Sequence, residues 1–386
     1  MRPGDVGRQG AATAFAKGTD TSYTNLINLP PDERPSPPMT ESPLPSLDDL
    51  GWQAFFADQT TPEEMADAPP VRVASVHRNS FSVVGPGIDM LIPAGHEATV
   101  GDWILLNRAQ PSASRVLARK SLIKRRAPGH DRQTQLIAAN LDTAFIVTSC
   151  NLDFNVARLE RYVALAFEAG VVPVILLTKA DEADAPEEYV AQAQGVARDV
   201  AVLSLDARGS DAAARLAQWC GAGQTVGFMG SSGVGKSTLV NALSGWQAAA
   251  TRDIRADDAK GRHTTTRRQL HFLPSGCVVL DTPGMRELQV TDAAMGVAEV
   301  FSDLTDLAAD CHFNNCRHAT EPGCAVQAAV ATGAIDAGRV ARWRKLLAED
   351  EANTQSLGLR KAGSRRPVAA PARPAKRPRG PKPPKR

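Results

Sequence analysis

The octapeptide Gly230-Ser231-Ser232-Gly233-Val234-Gly235-Lys236-Ser237 constrains this chain more than any other feature. It satisfies GxxxxGK[ST] without a mismatch, comes directly after the apolar run TVGFM, and leads through Thr238 into Leu239, Val240 and Leu243, an apolar helical face. That strand–loop–helix context is what the motif requires, and both flanks argue against the alternative of a chance Gly/Ser-rich turn. The glycines let successive backbone N–H groups and the helix N-terminus face phosphate oxygens. Gly230 to Thr238 form the candidate nucleotide phosphate site: Lys236 is expected to bridge the β- and γ-phosphates and the Ser237 hydroxyl to ligate Mg2+.

The residues around this motif have the period of an α/β domain. Five compact apolar runs, TAFIVTS, VPVILLT, VAVLS, TVGFM and CVVLD, alternate between residues 143 and 281 with helical stretches such as 155–169. There Val156, Leu159, Val163 and Ala166 form one stripe stopped by Gly170. This pattern predicts a parallel sheet covered by helices.

Two further motifs end strands of that sheet. Asp281-Thr282-Pro283-Gly284 closes CVVLD, so Asp281 can hold Mg2+ through water and the Gly284 N–H can meet a γ-phosphate. Thr178-Lys179-Ala180-Asp181 closes VPVILLT and resembles the guanine motif [NT]KxD. The Asp181 carboxylate can accept from guanine N1–H and the N2 amino group, and the Lys179 stem can lie over the base. Adenine lacks that donor pair and would leave the carboxylate unpaired. Ser204, at the end of VAVLS, is the candidate companion loop. Base recognition therefore precedes the phosphate loop, which implies a circular permutation that keeps strand pairing while moving the chain ends.

Upstream, residues 1–45 are polar and Pro-rich and read as a disordered leader. From Ser46 to Gln59 a short helix is expected, capped by Ser46, with Leu50, Trp52, Phe55 and Phe56 sharing a face that docks on the adjoining β-rich region. Between 71 and 123, VRVASV, FSVVG, MLIPAG, DWILLN and RVLARKSLI alternate with turn signals at roughly ten-residue spacing, as in a small barrel or sandwich, and a five-stranded OB-like β-barrel fits that length. Residues 115–132 hold seven Lys/Arg against Asp131 alone, a solvated loop or a footprint for phosphate backbones.

Downstream, Cys311, Cys316, His318 and Cys324 read C-x4-C-x-H-x5-C, with Asn314, Asn315 and Gly323 as turn residues. Three thiolates and an imidazole can close a tetrahedral structural Zn2+ site. His312 is an extra nitrogen beside Cys311, while Cys150, Cys220 and Cys277 read as packing thiols. Residues 325–350 are helical in composition. Val326, Ala329, Ile335, Val340, Trp343 and Leu346 are available to pack on the zinc knuckle, and Arg339, Arg342, Arg344 and Lys345 are expected to face outward.

Charge must be read by segment. The chain of 386 residues has a net charge of +2, but residues 360–386 carry eleven of the 44 Lys/Arg and no acid, which leaves 33 bases against 42 acids, a net of −9, in the rest. The tail contains seven prolines, cannot bury a core, and has the salt-sensitive attraction to nucleic acid of an extended basic chain, with mere solubilisation as the alternative. No apolar run approaches the ~20 residues that span a bilayer. The N-terminus also lacks the apolar core of a secretory signal, so a cytoplasmic protein without a membrane partner is expected.

With TKAD, GSSGVGKST, DTPG, the stretch KGRHTTT (260–266) and the Cys/His cluster in place, the chain resembles the RsgA/YjeQ family of small-subunit-dependent GTPases over roughly residues 46–350. The resemblance implies a helix with an OB-like barrel (46–128), a circularly permuted GTPase (129–295) and a helical zinc-binding domain (296–355), while the leader (1–45) and the basic tail (356–386) fall outside it. It implies a GTP-hydrolysing factor in late maturation of the small ribosomal subunit, stimulated by that subunit and in contact with its rRNA, acting as a monomer. Met285 and Arg286 follow DTPG where a Ras-like protein has its water-orienting Gln. His263 is the nearest group able to orient a water, and one of Thr264, Thr265 and Thr266, assigned here to Thr265, completes the Mg2+ site. The polar segment 248–266 and the C-terminal region are expected to report the nucleotide state. Two alternatives stand beside this reading: a GTP-regulated RNA-binding switch acting away from the ribosome, and a metabolic P-loop enzyme such as a kinase, against which TKAD argues.

Overall fold

The computed structural model describes residues 45–95, 97–126, 134–244, 268–273, 275–281 and 292–363. The leader, the whole of segment 248–266 with His263 and Thr265, Gly284 and the tail beyond 363 lie outside them.

The helix expected over 46–59 is interrupted. Ser46 does cap locally, its hydroxyl accepting from the Asp49 N–H, but residues 47–51 form turns and the helix α1 spans only Ala54–Ala57. Gly51 is the cause: its φ is +83°, and a Cβ there would lie 2.7 Å from the Arg72 guanidinium. Leu50 and Phe56 are buried against Trp103, whereas Phe55 stays 40% exposed. Helix α2 (Pro62–Asp67) comes next, behind a complete Thr61/Glu64 capping box.

The β-rich region forms β1 (Pro70–Val76), β2 (Ser80–Gly85), β3 (Ile88–Pro93), β4 (Trp103–Leu105) and β5 (Arg115–Val116). β1, β2 and β3 are antiparallel neighbours, β4 pairs with β1 and β5 with β4, all around a core of Val71, Val73, Phe81, Val83, Ile92 and Ile104. The run RVLARKSLI is split. Its second half opens β6 (Leu122–Arg126), which pairs with β7 (Thr134–Ala139) in a separate bulged hairpin.

The chain continues through β8 (Thr143–Ser149), α3 (Val156–Glu168), β9 (Val172–Thr178), α4 (Pro186–Gln194), β10 (Ala201–Ser204), α5 (Ala212–Leu216), β11 (Thr225–Met229) and α6 (Lys236–Leu243). Asn155 caps α3 by accepting from the Arg158 N–H at 2.9 Å. β12 (Gln269–Phe272) and β13 (Val278–Asp281) close the set. The strand order is β10-β9-β8-β11-β13-β12, the first five parallel as expected from their apolar runs, with β12 antiparallel. β12 also pairs with β1 through Ser75 and Gln269, so one eleven-stranded mixed sheet runs through both modules.

The C-terminal part holds α7 (Ala294–Val300), α8 (Ser302–Ala309), α9 (Ala325–Ala331) and α10 (Ala337–Gly363). Helical backbone thus continues past residue 356, where the composition alone places the start of the tail. Val326, Val340, Trp343 and Leu346 are buried in the same core as Leu159, Val163 and Ile175 of the parallel-sheet layer. No described helix is long and apolar enough to cross a membrane.

Candidate functional site

In open α/β sheets, ligand sites form at the carboxyl ends of the parallel strands, where loops leave the sheet. Here β9, β10, β11 and β13 end in Thr178, Ser204, Met229 and Asp281, so all three candidate motifs and the Ser204 loop emerge from one edge.

The phosphate loop is held by its own backbone geometry. Gly230 has a φ of +134°, and a Cβ there would lie 2.1 Å from the Val147 carbonyl oxygen of β8, so no side chain fits. Gly233 (+80°) and Gly235 (+96°) are also left-handed, which makes the tight curl into α6. Lys236 Nζ donates to the Gly230 carbonyl at 2.8 Å and to the Ser231 carbonyl, which keeps the ammonium over the loop. Val234 is buried, while Ser232, Gly233 and Ser237 are exposed at the surface of the site.

TKAD is joined directly to this loop. Thr178 is fully buried, and its hydroxyl donates to the Val234 carbonyl at 2.7 Å. Lys179 takes a left-handed φ of +55°, which turns the chain out of β9 into the short turn Ala180–Glu182. The Asp181 carboxylate is half-exposed and lies 3.4 Å from Arg208 Nη2. The loop after β10 is pinned by a bond from the Leu205 N–H to the Leu177 carbonyl and by Ala207, whose Cβ lies 3.5 Å from where one on Gly235 would be. Sequence reasoning singled out Ser204 from this loop but missed Ala207 and Arg208. The signal for Arg208 was its position four residues past the strand end, between Asp206 and Asp211.

Cys311, Cys316, His318 and Cys324 come together as the spacing predicts, all four ligand atoms within 4.8 Å of one another. His318 Nδ1 is 3.5 Å from Cys311 Sγ and 3.6 Å from Cys324 Sγ, and those two sulfurs are 3.9 Å apart. A tetrahedral ion with bonds of about 2.3 Å to sulfur and about 2.0 Å to nitrogen sets ligand edges of about 3.5–3.8 Å. The cluster therefore fits a bound metal ion. Its surroundings are built to hold it: the His318 N–H donates to Cys316 Sγ, the Gln327 N–H to Cys324 Sγ, and Gln327 Nε2 to the His318 carbonyl at 2.7 Å. Glu321 accepts from the N–H groups of Arg317, Ala319 and Thr320, and those backbone donors hold its carboxyl down to about 2. Burial lowers the His318 imidazole, which favours the neutral, ligating form, and its ring lies 5.0 Å from that of Trp343. His312 is instead turned against Phe313 and is not among the clustered ligands.

The expectation that Arg339 and Arg342 face outward is corrected. Arg342 Nε donates to both oxygens of the buried Glu160 at 3.0 and 2.9 Å. Arg339 binds both oxygens of Asp303, the carbonyls of Gly195, Val196 and Val300, and lies 4.8 Å above the Phe301 ring. A guanidinium offers five donors, and partners on α3, α8 and the loop after α4 use them better than water alone. Arg344 and Lys345 are exposed, as expected. Around α7, the Ala293 N–H donates to Asp350 and the Gly296 N–H to Glu168, while Gly296 admits α3 so closely that a Cβ would meet the Ala164 carbonyl at 2.0 Å.

A permuted strand order, a glycine loop joined by Thr178 to TKAD, and a Cys3His cluster define a circularly permuted P-loop GTPase. A family model described as RsgA GTPase matches residues 116–291. The small ribosomal subunit biogenesis GTPase RsgA of Mesorhizobium japonicum is 52% identical over 318 residues, covering 80% of this chain and 91% of that protein. RsgA 2 of Vibrio parahaemolyticus is 46% identical over 322 residues, covering 83% and 90%. Among solved structures, YjeQ from Thermotoga maritima matches with a TM-score of 0.53 at 22% identity, over 72% of this chain and 97% of that one. YloQ, a circularly permuted GTPase, matches at 0.52 and 22%, over 76% and 98%. The chain belongs to the RsgA GTPase family, a family of GTP hydrolases.

Proposed function

We propose that this protein hydrolyses GTP to GDP and phosphate while bound to the small ribosomal subunit, and that it assists late maturation of that subunit in contact with its rRNA. The observation that carries the proposal is the Thr178–Val234 bond, which makes the base-reading turn and the phosphate loop one unit. The ribosomal half rests on the names its relatives carry.

In this reading the N–H groups from Gly230 to Thr238 and the Lys236 ammonium bind the phosphates, Asp181 reads guanine N1–H and N2, Lys179 covers the base, and Ser204 leads the companion loop. Ser237, Asp281 and Thr265 offer hard oxygen ligands, the donor type that suits Mg2+. When bound, that ion would offset charge on the β- and γ-phosphates. The Gly284 N–H meets the γ-phosphate, and His263 orients the attacking water. The Cys3His cluster holds structural Zn2+, since a fully protein-filled shell leaves no open position for hydrolytic chemistry. Residues 46–128 act as an OB-like module, 129–295 as the permuted GTPase, and 296–355 as the zinc-binding helical domain. The leader, residues 1–45, and the basic tail, of which residues 356–363 still belong to α10, flank them, the tail adding salt-sensitive attraction to rRNA. The protein acts as a monomer in the cytoplasm.

The test is GTP turnover of the full chain with and without purified small subunits, together with co-sedimentation in a non-hydrolysable GTP analogue. Stimulated turnover and analogue-dependent co-sedimentation support the reading. Unstimulated turnover removes the ribosomal half and leaves the GTPase standing.

A further inference from the structure

The exposed pair of Arg208 with the base-reading carboxylate has no part in the motifs above. Arg208 Nη2 sits 3.4 Å from Asp181 Oδ2 and 3.3 Å from Glu182 Oε1, and its Nε lies 3.7 Å from Asp206 Oδ1. One guanidinium thus serves three carboxylates that would otherwise repel one another beside the expected base. Its backbone is fixed as well: the Arg208 N–H donates to Asp206 Oδ1 at 2.9 Å, and the Gly209 N–H to the Asp206 carbonyl at 3.1 Å. Ala207, one residue earlier, is buried against the phosphate loop. The side chain that meets Asp181 is therefore carried by a loop whose position is set by the phosphate loop itself.

We propose that Arg208 is a specificity-determining positioning residue of the nucleotide site, which orients the Asp181 carboxylate for two-point recognition of a 2-aminopurine base. The inference rests on the assignment of Asp181 to the base. A carboxylate that accepts from both N1–H and N2 of guanine needs its plane fixed, because the second bond forms only if the first does not twist it. One that accepts from N1–H alone tolerates rotation. Arg208 uses a single Asp181 oxygen and keeps Glu182 and Asp206 as further partners, so it can steady that carboxylate while a base engages it. Side-chain exposure of 68% for Arg208 and 42% for Asp181 makes the pair weak and salt-screened, which suits a contact that adjusts as the base enters.

The experiment measures equilibrium dissociation constants of the full chain for GDP and IDP, which differ only in the N2 amino group, at low salt. Arg208→Ala should weaken GDP by about two- to fivefold and IDP by less, so that the GDP/IDP preference falls. Arg208→Lys should recover part of it, since an ammonium can still reach Asp181. An unchanged GDP/IDP preference in Arg208→Ala, whether affinity for both nucleotides is kept or lost equally, overturns the proposal. Asp181→Asn is measured beside it against GDP and XDP. If that variant does not shift preference toward xanthine, the base-site assignment itself fails, and the role of Arg208 fails with it. A shift toward xanthine combined with an unaltered Arg208→Ala preference overturns Arg208 alone.

Discussion

The Thr178 hydroxyl donates to the Val234 carbonyl at 2.7 Å and lies 3.2 Å from the Thr148 carbonyl, so the first residue of TKAD ties the end of β9 to the phosphate loop. Thr178→Val keeps the shape and removes the donor, leaving the Val234 carbonyl without this partner in a buried setting. The expected loss is about 1–2 kcal/mol of stability and about a tenfold weaker affinity for both GDP and IDP, their ratio unchanged. Thr178→Ser should restore both. Denaturant midpoints and nucleotide titrations check this, and an unaltered affinity would show that the two loops do not act as one unit.

Gly230→Ala should be among the most damaging single changes. Its Cβ would need space 2.1 Å from a backbone oxygen of β8, at a φ of +134° that alanine avoids. Either β8 separates from β11 or the loop deforms, and the loss should exceed about 3 kcal/mol. A circular dichroism melt together with a GDP titration reads both outcomes. Gly233→Ala, with no atom within 4 Å of the added Cβ, should suffer only the strain of φ +80°.

The parallel strands were legible because strands covered on both faces read as unbroken apolar runs, and TAFIVTS, VPVILLT and TVGFM have that form. The phosphate loop and the Cys/His cluster were legible because their chemistry is packed into short segments. β12 was not, since QLHF is four residues long and partly polar and becomes a strand only between β13 and β1. The partners of Arg342 and Arg339 were equally hidden: Glu160 lies 182 residues from Arg342, and no local pattern encodes that distance. An arginine on an amphipathic helix reads as solvated until the acid beneath it is known.

The metal cluster is tied to Trp343 through the His318 ring. Metal analysis should find one zinc per chain, with Cys316→Ser reduced below that ratio. A strong chelator should change tryptophan emission as His318 leaves its place, and the change should be lost in Trp343→Phe. Emission that stays constant while zinc is removed would separate the cluster from the packing of α10.

Arg72 is a fully buried guanidinium that joins three parts of the chain. It donates to the carbonyls of Leu50, Gly101 and Asn140 and to the Thr225 hydroxyl at the start of β11, under Trp103. Burial lowers it to about 10, with Asp142 and Asp102 opposing that shift. Arg72→Met keeps bulk but strips the donors from these acceptors. It should destabilise by about 4 kcal/mol, visible as a lower urea midpoint and faster proteolysis at residues 45–60.

The contact between α10 and α3 should carry a pH signature through Glu160. Burial holds its carboxyl above the ordinary value of 4.5, and the opposing pull of Arg342 and Arg339 does not fully offset that cost. The folded state therefore binds this proton more tightly than the unfolded chain. The resulting stabilisation is complete below pH 4.5 and is lost as pH rises through the elevated folded value. Glu160→Gln cannot titrate. Below pH 4.5 the protonated carboxyl and the amide are near-isosteres facing the same two arginines, so parent and variant should differ there by no more than about 1 kcal/mol. As pH rises from 4.5 to 7.5 only the parent gives up the proton-linked term, so the variant should gain stability relative to it. Urea midpoints at four or five pH values across that window decide the matter. A variant that instead loses ground to the parent as pH rises would mean that the two arginines overcompensate burial and that the α3–α10 contact is held by the ion pair itself.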